Sequence, residues 1–340
     1  FSEGNSWIGG FSNIFMGSIE LGTESGTIPE SLFATFQMTF AIITPALMIG
    51  AFVERIKFSA MLIFLFFWVL IVYVPVTHWV WGGGILSSWG TMDFAGGIVV
   101  HATAGTGALV TALTLGKRRG FPKSLTPPHS PILTMIGASM LWIGWFGFNA
   151  GSALGANTGA GMAMLVTHIS AATASLVWMF IEWKRFGKPS LIGIVTGMVA
   201  GLATVTPASG YIGVPGALIL GFFGGLLCYV AVDFISGKLQ IDDSLDVFAV
   251  HGVGGILGTL LVAFLATSTF SGLGLADGQN ATSQFFVQFK AVVLTVLWTS
   301  IFTYLILKIT SIFVPLRVDE EEEIEGLDLR SHGEKGYHSD

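Results

Sequence analysis

The chain has 340 residues, 52% of them hydrophobic and 11% charged, with a mean hydropathy of +0.75. Apolar runs recur along most of its length, which excludes an ordinary soluble domain and points to a polytopic membrane protein. The net charge of −6 is concentrated at one end: residues 319–340 hold nine of the 21 acids and two of the 15 bases. The remainder is nearly neutral and has no basic patch suited to nucleic acid. The lone cysteine, Cys228, lies in an apolar run, which excludes a disulfide frame and a cysteine-based metal site.

Residues 1–27 are mixed and rich in Gly and Ser, and read as a loop. The start, Phe1-Ser2-Glu3, shows no signal-peptide pattern. Nine spans are expected after it, at about 28–53, 56–80, 94–116, 130–153, 158–182, 190–208, 212–234, 246–268 and 282–314. The last is long enough to tilt or to project from the bilayer. Basic residues alternate between connections: Arg55 and Lys57, then Lys117, Arg118, Arg119 and Lys123, then Lys184, Arg185 and Lys188, then Lys238. Arg317, Arg330 and Lys335 follow in the tail, while the other connections and residues 1–27 carry no Lys or Arg. The positive-inside rule places residue 1 outside and the tail in the cytoplasm of a cell (inner) membrane. The expected organisation is an extracytoplasmic loop at 1–27, a transmembrane domain at 28–315 and a cytoplasmic tail at 316–340. Gly193, Gly197 and Gly201 fall four apart on one helix face, as do Gly254 and Gly258, a pattern for close helix packing in lipid.

Two spans carry a histidine inside their apolar run. Asp93-Phe-Ala-Gly-Gly-Ile-Val-Val-His101 opens the third, and Asp246-Val-Phe-Ala-Val-His251-Gly-Val-Gly-Gly opens the eighth. Ionisable residues within a membrane are costly and serve as functional candidates by default. His101 lies roughly 12 Å inside one face at 1.5 Å per residue, and His251 about as deep from the other. Both approach the midplane of a core about 30 Å thick. One such histidine is more often a core residue satisfied by carbonyls; two in matched settings favour function. Adjacent imidazoles do not readily both become cationic, but they can share or pass one proton. The two segments lie five helices apart, so similar units face opposite ways, as in an inverted repeat. A repeat of five would need two further helices before residue 1.

Asp93 can bind a cation directly or cap the helix that begins beside it, and the cap is preferred. His168 and Lys290 also lie within spans and read as structural, Lys290 by snorkelling or interface pairing. His78, His129, His332 and His338 fall at edges, in a loop or in the tail. Phe36, Phe40, Trp79, Trp81, Trp142, Trp145, Phe146 and Phe148 crowd the outer ends of spans, mostly as an interfacial belt. Trp81-Gly-Gly-Gly84 and Trp145-Phe-Gly-Phe148-Asn-Ala-Gly-Ser152 are more specific: glycines beside aromatics leave room for a vestibule. Ring faces bind compact cations, and the Ser152 hydroxyl can accept a hydrogen bond from one. A small cation outside, an apolar passage and imidazoles at depth fit a weak acid that crosses as its neutral base. A metal ion cannot cross in that way.

At these residues the chain resembles the ammonium transporter (Amt/Mep/Rh) family, bacterial Amt type. The likeness runs through Gly50-Ala-Phe-Val-Glu-Arg-Ile-Lys-Phe-Ser-Ala60, His78-Trp-Val-Trp-Gly-Gly-Gly84, Asp93 to His101, Gly144 to Ala153, Asp246 to Gly252 and Leu327 to His338. The resemblance implies an all-α polytopic fold of eleven helices with a 5+5 inverted repeat, nine of them present here. It places the start of the chain after the family's second helix. It also implies a homotrimer with one pore per subunit, and no cofactor or metal. Trp81, Phe36 and Ser152 would recruit ammonium, Phe40 and Phe148 would form a stacked gate, and His101 and His251 would line the pore beside Trp145. Asp93 would organise the vestibule. The tail resembles the family's regulatory tail, which can dock PII-type signalling proteins.

The expected function is therefore transport of ammonium/ammonia, with methylammonium as an analogue, rather than enzymatic catalysis. Ammonium would be deprotonated outside, and ammonia would pass the gate and the imidazoles. A sensor acting through the tail is the first rival. A redox enzyme with His101 and His251 as haem or metal ligands is the second, disfavoured because no carboxylate supports them at depth.

Overall fold

A computed structural model describes residues 1–337, so His338 at the end of the tail motif lies outside the described residues. The chain folds as a bundle of helices preceded by a loop with one short hairpin, β1 (Glu24–Ser25) against β2 (Ile28–Pro29). Among the described residues, eight helices are long and apolar enough to cross a membrane. They are α1 (Glu30–Ile49), α2 (Phe58–Ser88), α3 (Gly97–Leu115), α4 (Pro131–Gly151), α5 (Thr158–Phe186), α7 (Val214–Lys238), α8 (Phe248–Leu265) and α9 (Ala281–Phe313). The expected span at 190–208 is a shorter apolar helix, α6 (Leu191–Val205). Its 15 residues reach roughly 22 Å. It stops two residues ahead of Pro207, which has no N–H to continue the ladder. A short helix, α10 (Glu320–Glu325), lies in the tail, followed by a π-type turn at Asp328–His332.

Local sequence explains the helix starts. Ser130, Asn157, Ser190 and Asn280 each accept a hydrogen bond from the backbone N–H three residues on, capping α4, α5, α6 and α9. Glycine explains the packing of α5 to α7. A Cβ on Gly197 would strike Trp178 and the Ala174 carbonyl, and one on Gly201 or Gly221 would strike the Ser170 carbonyl. The stripe at 193, 197 and 201 is therefore where α6 lies against α5, backbone to backbone.

One end of the bundle is tied by ions. The Arg118 guanidinium grips both carboxylate oxygens of Asp242 at 2.9–3.0 Å and reaches Glu54 at 2.7 Å. Arg55, fully buried, donates to the Asp242 carbonyl at 2.5 Å and to the Ser244 hydroxyl at 2.8 Å. The tail enters the same knot. Lys57 N–H donates to the Leu316 carbonyl and Val318 N–H to the Arg55 carbonyl, while Arg317 pairs with Glu323 at 2.7 Å. Asp242 is buried, so removing Arg118 strips a dry carboxylate of its bidentate partner, and Arg55 stands 4.0 Å away. Arg118→Ala is expected to cost about 3 kcal/mol, read as a lowered melting temperature in detergent. An unchanged melt would show that the pair contributes nothing.

Candidate functional site

At the end of the bundle away from the Arg118 knot, a cavity of about 330 Å³ is lined by Phe1, Phe33, Phe36, Gln37, Phe40, Val80, Trp81, Phe94, Ser152 and Leu154. Phe36, Trp81 and Ser152, singled out from the sequence, thus share one space. The Trp81 indole N–H donates to the Asp93 carbonyl at 2.8 Å, which leaves the ring face for contact. The Ser152 hydroxyl donates to the Phe148 carbonyl at 2.9 Å, so its lone pairs remain free to accept.

Rings continue inward from this cavity. Phe36 meets Phe40 at 4.9 Å between centroids, and Phe40 meets Trp81 at 5.4 Å, both edge to face. Phe40 and Phe148 lie 4.6 Å apart, tilted by 51° rather than stacked in parallel. Phe148 stacks on His101 at 5.8 Å, and Trp145 stacks on the same imidazole at 5.4 Å. Trp145 is held by a hydrogen bond from its indole N–H to Thr206 at 2.9 Å.

His101 and His251, 150 residues apart, place Nδ1 against Nδ1 at 3.2 Å. At that distance one Nδ1 donates and the other accepts, so two neutral rings adopt opposite tautomers. His101 is completely buried and its Nε2 has no protein partner. Both rings sit on a wide π-type turn at the start of their helix, Gly97–Ala102 in α3 and Phe248–Gly252 in α8. Such turns are concentrated at functional positions. The helices cross antiparallel: a Cβ on Gly105 would collide with Gly252, while one on Gly255 would lie 2.6 Å from His101 Cβ. Each helix thus presents a glycine four residues beyond its own histidine to the histidine turn of the other.

Asp93 fixes the first of these turns. One carboxylate oxygen accepts the N–H groups of Gly96 and Gly97 at 3.0 and 2.6 Å; the other accepts those of Ile98 and Val99 at 2.9 and 3.1 Å. Gly96 bends the chain at φ +112° so that four successive N–H groups converge. On the second turn the equivalent acid is Asp243, which accepts the Phe248 N–H at 2.7 Å. Asp246, nearer His251 in sequence, instead occupies the bend at φ +54° and accepts the Ser236 hydroxyl. Burial pushes the carboxyls of Asp93 and Asp243 up to about 6, against the N–H bonds that hold them down. Those N–H donors favour the charged form of each carboxyl. The signal for Asp243 was in the sequence: it precedes His251 by the same eight residues that separate Asp93 from His101.

The other singled-out groups lie elsewhere. Lys290 sits over the Trp89 ring at 5.2 Å, and exposed His168 packs against Trp142. His78 bonds to the Asn5 carbonyl, His129 to Tyr337, and His332 packs edge-on against Phe58. Among the described residues, no group of three or more His, Cys, Asp and Glu side chains could hold a metal ion.

The model of the Ammonium Transporter Family matches residues 1–337. The chain belongs to the ammonium transporter family. It is 47% identical to a putative ammonium transporter of Methanothermobacter thermautotrophicus, over 98% of this chain and 82% of that protein. It is 43% identical to an ammonium transporter of Bacillus subtilis, over 99% and 84%. Among solved structures, one named Sensor Amt Protein superposes with a TM-score of 0.89 at 31% identity, covering 98% of this chain and 84% of that one. The crystal structure of Saccharomyces cerevisiae Mep2 gives 0.84 at 34%, covering 94% and 74%. The transporter is thus a multi-pass membrane protein of the Amt/Mep fold, and ammonium is the substrate its family supports.

Proposed function

We propose that ammonium enters the aromatic cavity from outside and leaves its proton before the rings. Ammonia then passes Phe40 and Phe148 and runs along the imidazoles of His101 and His251. The observation that carries this reading is the unbroken series of rings from Phe36 and Trp81 to a pair of imidazoles 3.2 Å apart. Trp81 and Phe36 supply ring faces for the cation, and Ser152 supplies an acceptor. The Phe40–Phe148 pair blocks hydrated ions, since shedding water in an apolar constriction is costly. His101 Nε2, buried and unpaired, is a partner for a passing N–H or lone pair. The shared proton between the Nδ1 atoms supports a relay. Asp93 acts through position: it holds the turn of His101 and, by its carbonyl, the Trp81 indole.

In this reading residues 1–27 lie outside, 28–315 form the transmembrane domain of a homotrimeric pore in the cell membrane, and 316–340 form a cytoplasmic tail. Its interlock with Arg55 and Arg119 supports a regulatory tail able to receive a PII-type protein. A second reading, an ammonium sensor acting through that tail, is favoured by the close superposition on the structure named Sensor Amt Protein.

An ammonium concentration jump on proteoliposomes tests the first reading. A current is expected, and His101→Ala/His251→Ala should reduce it at least about tenfold, the loss of one or more favourable proton steps. Uptake of labelled methylammonium without current would mean neutral ammonia conduction. Absence of any flux from folded protein would leave the sensor.

A further inference from the structure

Gln37 is the polar member of a stripe otherwise made of phenyl rings. Phe33, Phe36, Gln37 and Phe40 recur at i, i+3, i+4 and i+7 on α1, and all four border the cavity that holds Trp81 and Ser152. The side-chain oxygen of Gln37 is buried and has no hydrogen-bond partner in the protein. An amide oxygen withdrawn from water and left unpaired is costly, and in native proteins such a group calls for a partner. Two nearby donors are already engaged: the Trp81 indole N–H on the Asp93 carbonyl, and the Ser152 proton on the Phe148 carbonyl. The cavity therefore offers ring faces and two unfilled acceptor oxygens, beside the N–H donors of the Gln37 amide itself.

We propose that Gln37 is a second hydrogen-bond acceptor for the cation in this cavity and that, with Ser152, it sets the preference for ammonium over alkylated ammonium ions. The proposal rests on the reading of this cavity as the ammonium entry site. Ring faces attract any compact cation by its charge and do not count its N–H groups. Oxygen acceptors do count them. Ammonium has four equivalent N–H bonds, so any two of them can serve the two acceptors. Each added methyl removes one donor and narrows the orientations that satisfy both oxygens. A site built around hydrogen bonds rejects analogues that cannot make them far more strongly than an apolar pocket can. Gln37 and the Phe36 ring border the same cavity.

Gln37→Leu removes the acceptor and keeps the bulk. In proteoliposomes, the half-saturating ammonium concentration is expected to rise about tenfold, the loss of one good hydrogen bond, with maximal flux within about twofold of wild type. The ammonium-to-methylammonium preference, read by competition against labelled methylammonium, should fall about threefold. Gln37→Glu presents acceptors at both terminal atoms and should lower the half-saturating concentration. An unchanged half-saturation in Gln37→Leu would overturn the proposal. So would a fall in maximal flux alone, which is what a merely structural residue would produce. If the leucine variant does not fold, Gln37→Glu decides: an unchanged or raised half-saturation overturns the proposal. Wild-type protein with no saturable ammonium response would instead overturn the entry-site reading, and this proposal with it.

Discussion

Asp93→Ala is expected to lower the unfolding free energy by about 5 kcal/mol or more and to abolish ammonium flux. Four successive N–H groups end on this carboxylate, at 2.6 to 3.1 Å, in a fully enclosed setting. A hydrogen bond to a charged acceptor contributes roughly 1.5–3 kcal/mol net, and an orphaned buried donor costs about as much again. Losing several together approaches the whole stability of a typical domain, about 5–15 kcal/mol. The same change releases the first turn of α3, which carries His101, and unsettles the loop carbonyl that holds Trp81. Asp93→Asn retains one acceptor oxygen, so it should fall between wild type and Ala in both respects. Melting in detergent and flux in proteoliposomes check the series. An alanine variant that melts and transports like wild type would remove the turn-forming role of this acid.

The second large effect is expected at the crossing of α3 and α8. A Cβ on Gly255 would lie 2.6 Å from His101 Cβ and 2.7 Å from the Gly97 carbonyl, and one on Gly105 would collide with the Gly252 backbone. Neither obstacle is a flexible side-chain tip, so the helices must move apart. Each single Gly→Ala change is expected to cost about 2–3 kcal/mol, the upper range for overpacking. Separation should also lengthen the 3.2 Å imidazole contact and reduce flux. The two glycines obstruct the same approach from opposite sides, so one displacement relieves both. Gly105→Ala/Gly255→Ala is therefore expected to cost at least about 1 kcal/mol less than the two singles together. A strictly additive double mutant would mean that the two contacts yield independently, which a rigid antiparallel crossing does not allow.

The spans were legible because hydropathy over some twenty residues is a strong signal. α9 is at Ala281–Phe313 where 282–314 was expected; α2 runs on to Ser88 where 80 was expected, and α6 is shortened before Pro207. The imidazoles were legible because an ionisable group stands out within an apolar run. Three features were hidden for different reasons. Asp243 was masked by Asp246, which adjoins the apolar run more closely; the wide turn before each histidine lengthens the distance from cap to ring. Gln37 was hidden because an amide among aromatics has no pattern until its oxygen is seen to lack a partner. The Arg55 and Arg118 contacts to Asp242 join residues 187 and 124 positions apart, and local sequence contains nothing about such pairs. For the ring residues, resemblance supplied the assignments and the structure supplied the shared cavity in which Phe36, Trp81 and Ser152 meet.

The paired turns of Asp93–His101 and Asp243–His251 bear on sidedness. A scaffold that nearly repeats itself when turned end over end has no built-in arrow. At its middle, the same chemistry faces both ways. On the proposed route, any rectification must come from the unlike ends of the bundle: rings and a hydroxyl at one, the Arg55–Asp242–Arg118 knot at the other. If the proposed route holds, such a passage would conduct down whichever gradient it meets. Inward accumulation then depends on what traps the cargo beyond it, or on a charge moved with it.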